Sequence, residues 1–222
     1  MRIINSSATG KAIALISPDS ERTFATFLGA AVELSANDIS HEQFEGYDYF
    51  HIEGYLVQNH ALIEKAVRLA KQKGLKISLD MASYNVVEEN LEFLGMILHE
   101  FVDIVFANEE EAKAFTGKEP EKAVMEFSSL CEIAIVKIGK NGSIVSSNGN
   151  HNRISPIKAN SVDTTGAGDL YAAGFIYGLV NNYSLDKCGS LGSLIAAKTI
   201  EVIGPKMSDS TWETIRQLIV TS

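Results

Sequence analysis

Two rhythms of apolar side chains alternate along this chain, one with a period of two and one near 3.6, and they divide it into strands and helices. Residues 12–17 (AIALIS) and 22–28 (RTFATFL) read as two strands joined by the turn PDSE at 18–21. A third strand is predicted over 47–55 (YDYFHIEGY). Ile63, Ala66, Val67 and Ala70 then fall at i, i+3, i+4 and i+7, a helical stripe that Gly74 ends. The pattern continues with a strand at 75–80, a helix at 86–99, a short buried strand at 103–107, and a helix from 108 to 115 closed by Gly117. A helix over 119–130 and a strand over 132–139 follow, and 142–147 and 151–156 form a small hairpin around NGN at 148–150. The remainder is helical, at 166–181, 184–202 and 209–220, with Ser184 and either Ser208 or Asp209 as caps. Strands alternating with helices predict the α/β class, with a mostly parallel sheet covered by helices on both faces. The first residues are β-rich instead, so 1–35 is predicted as a partial β lid and 36–222 as the α/β domain.

Composition narrows the classes of function. The 222 residues are 45% hydrophobic, enough for one sizeable core. A net charge of −9 argues against a general nucleic-acid binder, which needs a basic stripe. No apolar run has the length of a membrane span, and the opening MRIINSSATGKAIALIS lacks the plan of a signal peptide. Cys131 and Cys188 stand far apart without a CxxC pair, and read as buried thiols in a reducing cytoplasm. The five histidines show no metal-binding spacing.

The phrase SVDTTGAGDLYAAGF at 161–175 places Asp163, two threonines, Gly166, Gly168 and Asp169 directly before an apolar helix. In an open α/β sheet, ligands bind beyond the carboxyl ends of the strands. Unpaired N–H groups at a helix start attract anions, and glycines let a phosphate come close. An ordinary carboxylate such as Asp169 is ionised at neutral pH and can accept a proton from an attacking hydroxyl. A donor nest beside a base suits phosphoryl transfer. The same residues also suit a plain loop-to-helix junction in which Asp169 only favours the helix dipole. No GxxxxGK[ST], HRD, DFG or strand-borne GxGxxG is present.

The whole phrase DTTGAGD at 163–169 closely resembles the C-terminal signature of the ribokinase-like, PfkB-type sugar and nucleoside kinases. DIVFANEEEAKAFTG at 103–117 resembles that family's Asn-x-x-Glu segment, and IVKIGKNGSIV at 135–145 its nucleotide-binding turn. TGKAIALISPDSERTFATFLGAA at 9–31 resembles the strands of its substrate lid, and KTIEVIGPKM at 198–207 its last nucleotide-side segment. The resemblance covers nearly all of the chain. It implies a magnesium- and ATP-dependent kinase that moves the γ-phosphoryl group to a hydroxyl of a small sugar or nucleoside.

By this resemblance Asp169 is the catalytic base, and the N–H groups of Gly166, Ala167 and Gly168 form the anion hole. Asn108 and Glu111 organise water around the Mg2+ of Mg-ATP; their spacing also makes a capping box. Lys137, Gly139 and Gly142 match the nucleotide-binding turn, where GKNG also suits a hairpin turn. Ser193 aligns near the nucleotide base and equally suits helix packing. Many relatives hold a monovalent cation, K+, beside the anion hole. Its ligands here would be Asp163, the backbone of Thr165, Thr199, Val202 and Gly204, and Ser208; Asp163 also suits a plain turn acid. His51 and Glu53 share a strand face and Asp80 ends a strand on the ligand side, and all three read as structural polar groups.

Family members carry a longer segment before the lid strands, with the first sheet strands, an early sugar-binding acid and a Gly-Gly motif. No Gly-Gly pair occurs here, so the resemblance implies an ATP site, anion hole and base without much of the acceptor pocket. The alternative function is a truncated nucleotide-binding module without turnover. Lost strands would leave an unpaired sheet edge, which predicts association with another copy.

Overall fold

In the computed structural model the described residues are 7–17 and 22–221, and the turn expected at 18–21 lies outside them. β1 (Lys11–Ile16) and β2 (Arg22–Phe27) form a separate antiparallel pair in which Ile13 faces Ala25 and Leu15 faces Thr23. The central sheet has six strands in chain order: β3 (Tyr49–Glu53), β4 (Lys76–Asp80), β5 (Ile104–Asn108), β6 (Ile133–Lys137), β7 (Ser143–Ser147) and β8 (Asn150–Ile154). β3 to β6 are parallel, with Glu53 opposite Asp80, Asp80 opposite Phe106, and Asn108 opposite Lys137. Successive residues of β4 and β5 are buried whichever way they point, as a sheet covered on both faces requires.

Eight helices complete the described chain: α1 (His60–Gln72), α2 (Tyr84–Glu89), α3 (Leu91–Glu100), α4 (Glu109–Thr116), α5 (Pro120–Leu130), α6 (Ala167–Val180), α7 (Leu185–Thr199) and α8 (Asp209–Thr221). The chain divides into two compact units. Of the described residues, one holds 7–9, 29–138 and 144–152; the other holds 10–17, 22–28, 139–143 and 153–221. In the first, Val67 and Ala70 of α1 pack with Ile77, Leu79, Val105, Val136 and Phe127 in one apolar core. In the second, α6 lies so close to α7 that a Cβ at Gly174 would come 3.0 Å from the Gly192 Cα. Ile195, Met207 and Ile215 join α7 and α8 nearby, with Trp212 against them.

Three departures from the sequence pattern have local causes. The helix expected over 86–99 is two helices, because the Asn90 side chain donates to the Val86 carbonyl at 2.8 Å and ends the first of them. The strand expected over 47–55 closes at Glu53, and Gly54 opens a 3-10 turn. Further 3-10 turns at Gly29–Glu33, Ala36–Asp38 and His41–Phe44 occupy a stretch where no element was expected.

Candidate functional site

The phrase at 161–169 folds into a tight loop and a helix start within the second unit. Val162 N and Asp163 N both donate to the Ile200 carbonyl, at 2.7 and 3.3 Å. The buried Asp163 carboxylate accepts from the Thr165 N–H (2.9 Å) and hydroxyl (2.6 Å) through one oxygen, and from the Gly204 N–H (2.8 Å) through the other. It thus ties the loop to the turn near 204. Gly166 follows in the left-handed region at φ 79°, where only glycine is unstrained. A Cβ on it would also lie 2.6 Å from the Pro205 Cβ.

Gly166 is the N-cap of the fourteen-residue α6, whose first intrahelical bond runs from Leu170 N to the Gly166 carbonyl at 2.9 Å. The first N–H groups of a helix have no intrahelical carbonyl to meet. Ala167 N–H bonds the Thr164 carbonyl at a long 3.2 Å, and Gly168 stands next in that first turn. Gly166 is buried, Ala167 and Gly168 are half-buried, and Asp169 is exposed. The helix tip is therefore partly exposed, with a carboxylate in its first turn, an arrangement suited to holding an anion and accepting a proton.

The remaining residues named with this loop divide. Thr199 is fully buried and its hydroxyl donates to the Ile195 carbonyl at 2.9 Å. Its carbonyl accepts from Val202 N at 3.3 Å. The Ser208 hydroxyl accepts from Thr211 N at 3.2 Å, as a cap of α8 does. The Thr165 N–H and hydroxyl and the Gly204 N–H hold Asp163 within this closed loop. Ser193 is buried in α7, 8% exposed.

Residues 139–142 form a 3-10 turn, Gly139–Asn141, closed by Gly142 N donating to the Gly139 carbonyl at 3.1 Å. Gly142 sits at φ 92°, and a Cβ there would lie 2.0 Å from the Ile154 carbonyl oxygen. Glycine is thus obligatory at 142 on two counts.

In the first unit, the carboxyl ends of three adjacent parallel strands bring together Asp80, Asn108 and Lys137, with Glu111 one turn into α4. Asn108 and Glu111 make a reciprocal capping box. The Asn108 N–H and Nδ2 each donate to one Glu111 oxygen at 2.7 Å, and Glu111 N donates back to the Asn108 Oδ1 at 2.8 Å. Burial pushes the Glu111 carboxyl up to about 7, the Asp80 charge adds to the rise, and the Lys137 ammonium opposes it. Lys137 Nζ is 2.8 Å from the Asp80 Oδ2, whose other oxygen accepts from Ala82 N at 3.0 Å. Lys137 therefore answers a carboxylate of its own unit. Asp80, which reads from sequence as a structural polar group, belongs to this charge cluster. The signal was an acid closing a buried apolar strand, two strands from a lysine in the same position. His51 and Glu53, 3.4 Å apart on β3, pair with each other, and His51 Nδ1 meets the Ser78 hydroxyl at 2.9 Å.

Asn108 and Glu111 carry oxygens of the kind that waters of a hydrated Mg2+ meet, whereas both Asp80 oxygens are engaged by Lys137 and Ala82 N. A cleft of about 300 Å3 at the opposite, amino end of the strands carries less chemistry. There Asp103 is held by Lys71 at 2.6 Å and by Ile77 N at 2.7 Å, and burial pushes the Cys131 thiol up to about 12.

Residues 1–212 match the family model described as pfkB family carbohydrate kinase. An uncharacterised sugar kinase of Archaeoglobus fulgidus is 26% identical over 89% of this chain and 79% of its own length. The crystal structure of adenosine kinase from Sinorhizobium meliloti superposes with a TM-score of 0.88 at 32% identity, covering 95% of this chain and 66% of that one. A protein of the ribokinase II type from Escherichia coli, solved in complex with ATP and Mg2+, shares the fold with a TM-score of 0.81 at 23% identity, over 93% of this chain and 71% of its own. The chain spans about two thirds of the length of the adenosine kinase it resembles. No helix among the described residues is long and apolar enough to cross a membrane.

Proposed function

This chain belongs to the pfkB family of carbohydrate kinases, and from that premise we propose that it transfers the γ-phosphoryl group of ATP to a hydroxyl of a small sugar or nucleoside. The observation that carries the reading is the tip of α6, where the exposed Asp169 stands in the first turn after a left-handed Gly166. In the proposed step the Asp169 carboxylate accepts the acceptor's hydroxyl proton as the new O–P bond forms. The bond between the γ-phosphorus and its bridging oxygen breaks, and ADP leaves with the electron pair. The N–H groups of Gly166, Ala167 and Gly168 offset charge on the moving group. Ala167 exchanges its long bond to Thr164 for the phosphoryl oxygen.

The turn at 139–142 holds the nucleotide, its glycines giving close backbone approach. Ser193 stands on α7 as a small residue on the nucleotide-base side. Asn108 and Glu111 would orient waters of Mg2+, and the ion when bound supplies positive charge that neutralises the phosphates. Beside them the Lys137 ammonium, held by Asp80, supplies a counter-charge to Glu111 that the nearby Asp80 carboxylate offsets. A monovalent cation such as K+ would use Asp163 and the carbonyls of Thr165, Thr199, Val202 and Gly204, with Ser208. Replacing KCl by choline chloride reads its contribution to turnover.

A second reading is a nucleotide-binding module without turnover, in which the turn at 139–142 holds nucleotide and no acceptor is phosphorylated. Calorimetry with Mg-ATP beside an ADP-release assay over a panel of sugars and nucleosides separates the two. Acceptor-dependent ADP release supports the kinase, binding without release supports the module, and absence of binding defeats both.

A further inference from the structure

Tyr171 follows Asp169 by two positions on α6, about 200° round the helix, so the tyrosine points into the protein where the aspartate points out. Its hydroxyl meets the Ser143 Oγ at 2.7 Å. Tyr171 is 5% exposed and Ser143 0%, so water reaches neither oxygen readily. Burial raises the phenol well above its ordinary value, the Ser143 bond acting the other way, and the phenol stays protonated. Tyr171 is therefore a tether and not an acid or base.

Each end of this tether sits on an element that the phosphoryl transfer uses. Ser143 follows Gly142, the residue that closes the nucleotide turn and lies against the Ile154 carbonyl. Tyr171 belongs to the helix whose first turn carries the donors and the base. α7 leaves a notch for the tyrosine: a Cβ at Gly192 would come 2.8 Å from the Tyr171 carbonyl oxygen and 3.1 Å from its ring. The ring is thus held in place, and the hydroxyl has a fixed reach.

We propose that the Tyr171–Ser143 hydrogen bond registers the tip of α6 against the nucleotide turn, making both residues positioning residues for phosphoryl transfer that act through Asp169 and Gly142. The inference rests on the kinase reading. Its physical basis is the steep dependence of transfer on alignment, where a shift of about 1 Å costs up to a hundredfold in rate.

Tyr171→Phe keeps the ring and removes one oxygen, and Ser143→Ala removes the other. With rates normalised to folded protein by near-UV circular dichroism, each variant is expected to lower kcat about tenfold. Each is also expected to weaken Mg-ATP binding severalfold by calorimetry. The double variant should be no worse in kcat than either single one, because one shared link is lost in all three. Wild-type kcat and KM per folded molecule in both single variants, with only the melting temperature lowered, would overturn the proposal. So would a double variant whose kcat loss is the product of the two. If the wild type binds Mg-ATP without turning over any acceptor, the kinase reading fails on its own. The dissociation constants then still decide the tether: equal values for wild type and Ser143→Ala overturn it, and a severalfold weakening supports it.

Discussion

Asp169, Gly166 and Glu111 show how a single position can be tied to one job by charge, conformation or burial. Asp169→Asn keeps shape and removes basicity, so kcat should fall by about 10²–10⁴ with Mg-ATP affinity nearly unchanged. Calorimetry and steady-state kinetics on one preparation check it. Gly166→Ala meets both a left-handed backbone and the Pro205 ring. It should cost about 1–3 kcal/mol of stability and most of the nucleotide-dependent turnover, read by urea unfolding and ADP release. Glu111 gives a pH signature. Its folded value lies near 7, above the ordinary 4.5, so the folded state holds the proton more tightly. The resulting stability is full below 4.5 and is lost as pH rises towards 7 and beyond. Without magnesium, urea midpoints should therefore fall between pH 5 and 8 more steeply for the wild type than for Glu111→Gln. Parallel slopes would remove Glu111 as the cause. The helix start that carries Asp169 could be foreseen because neighbouring residues set it, whereas the partner of Asp80 lies 57 positions away.

The helices and strands follow local chemistry closely where that chemistry is strong. Ser184 and Ser208 cap α7 and α8 as their sequence suggests, through bonds to Lys187 N and Thr211 N. The Asn108–Glu111 capping box forms, and the sequence alone left open whether it is a cap or a ligand pair. Asn90 breaks a helix that apolar spacing extends across it, because periodicity does not register a side chain competing for a carbonyl. The contact of α6 with α7 rests on glycine rows whose purpose the sequence does not announce. Gly174→Val should clash with Gly192 and Ile195 and cost about 1–3 kcal/mol. Ala173→Val, on the exposed side of the same helix, should cost well under that. Paired urea denaturations decide it, and equal losses would show that β-branching and not packing is responsible.

The strand pair β1–β2 exposes large apolar side chains: Ile13 and Leu15 are each 62% exposed and Phe27 57%. Cross-strand register puts these three on one face of the pair, and among the described residues β3 is an edge strand of the central sheet. Such surfaces seek a partner. Sedimentation should show concentration-dependent association that Ile13→Asp with Leu15→Asp abolishes, and an unchanged distribution would place the contact elsewhere. The sequence fixes the alternation of strands and helices, the parallel sheet, and the glycine-flanked acid at a helix start, because each is written in residues within a few positions of one another. Sequence reading foresaw neither the Asp80–Lys137 pair nor the Tyr171–Ser143 tether. Both join groups far apart along the chain, and only folding sets which distant side chains share a small volume shielded from water.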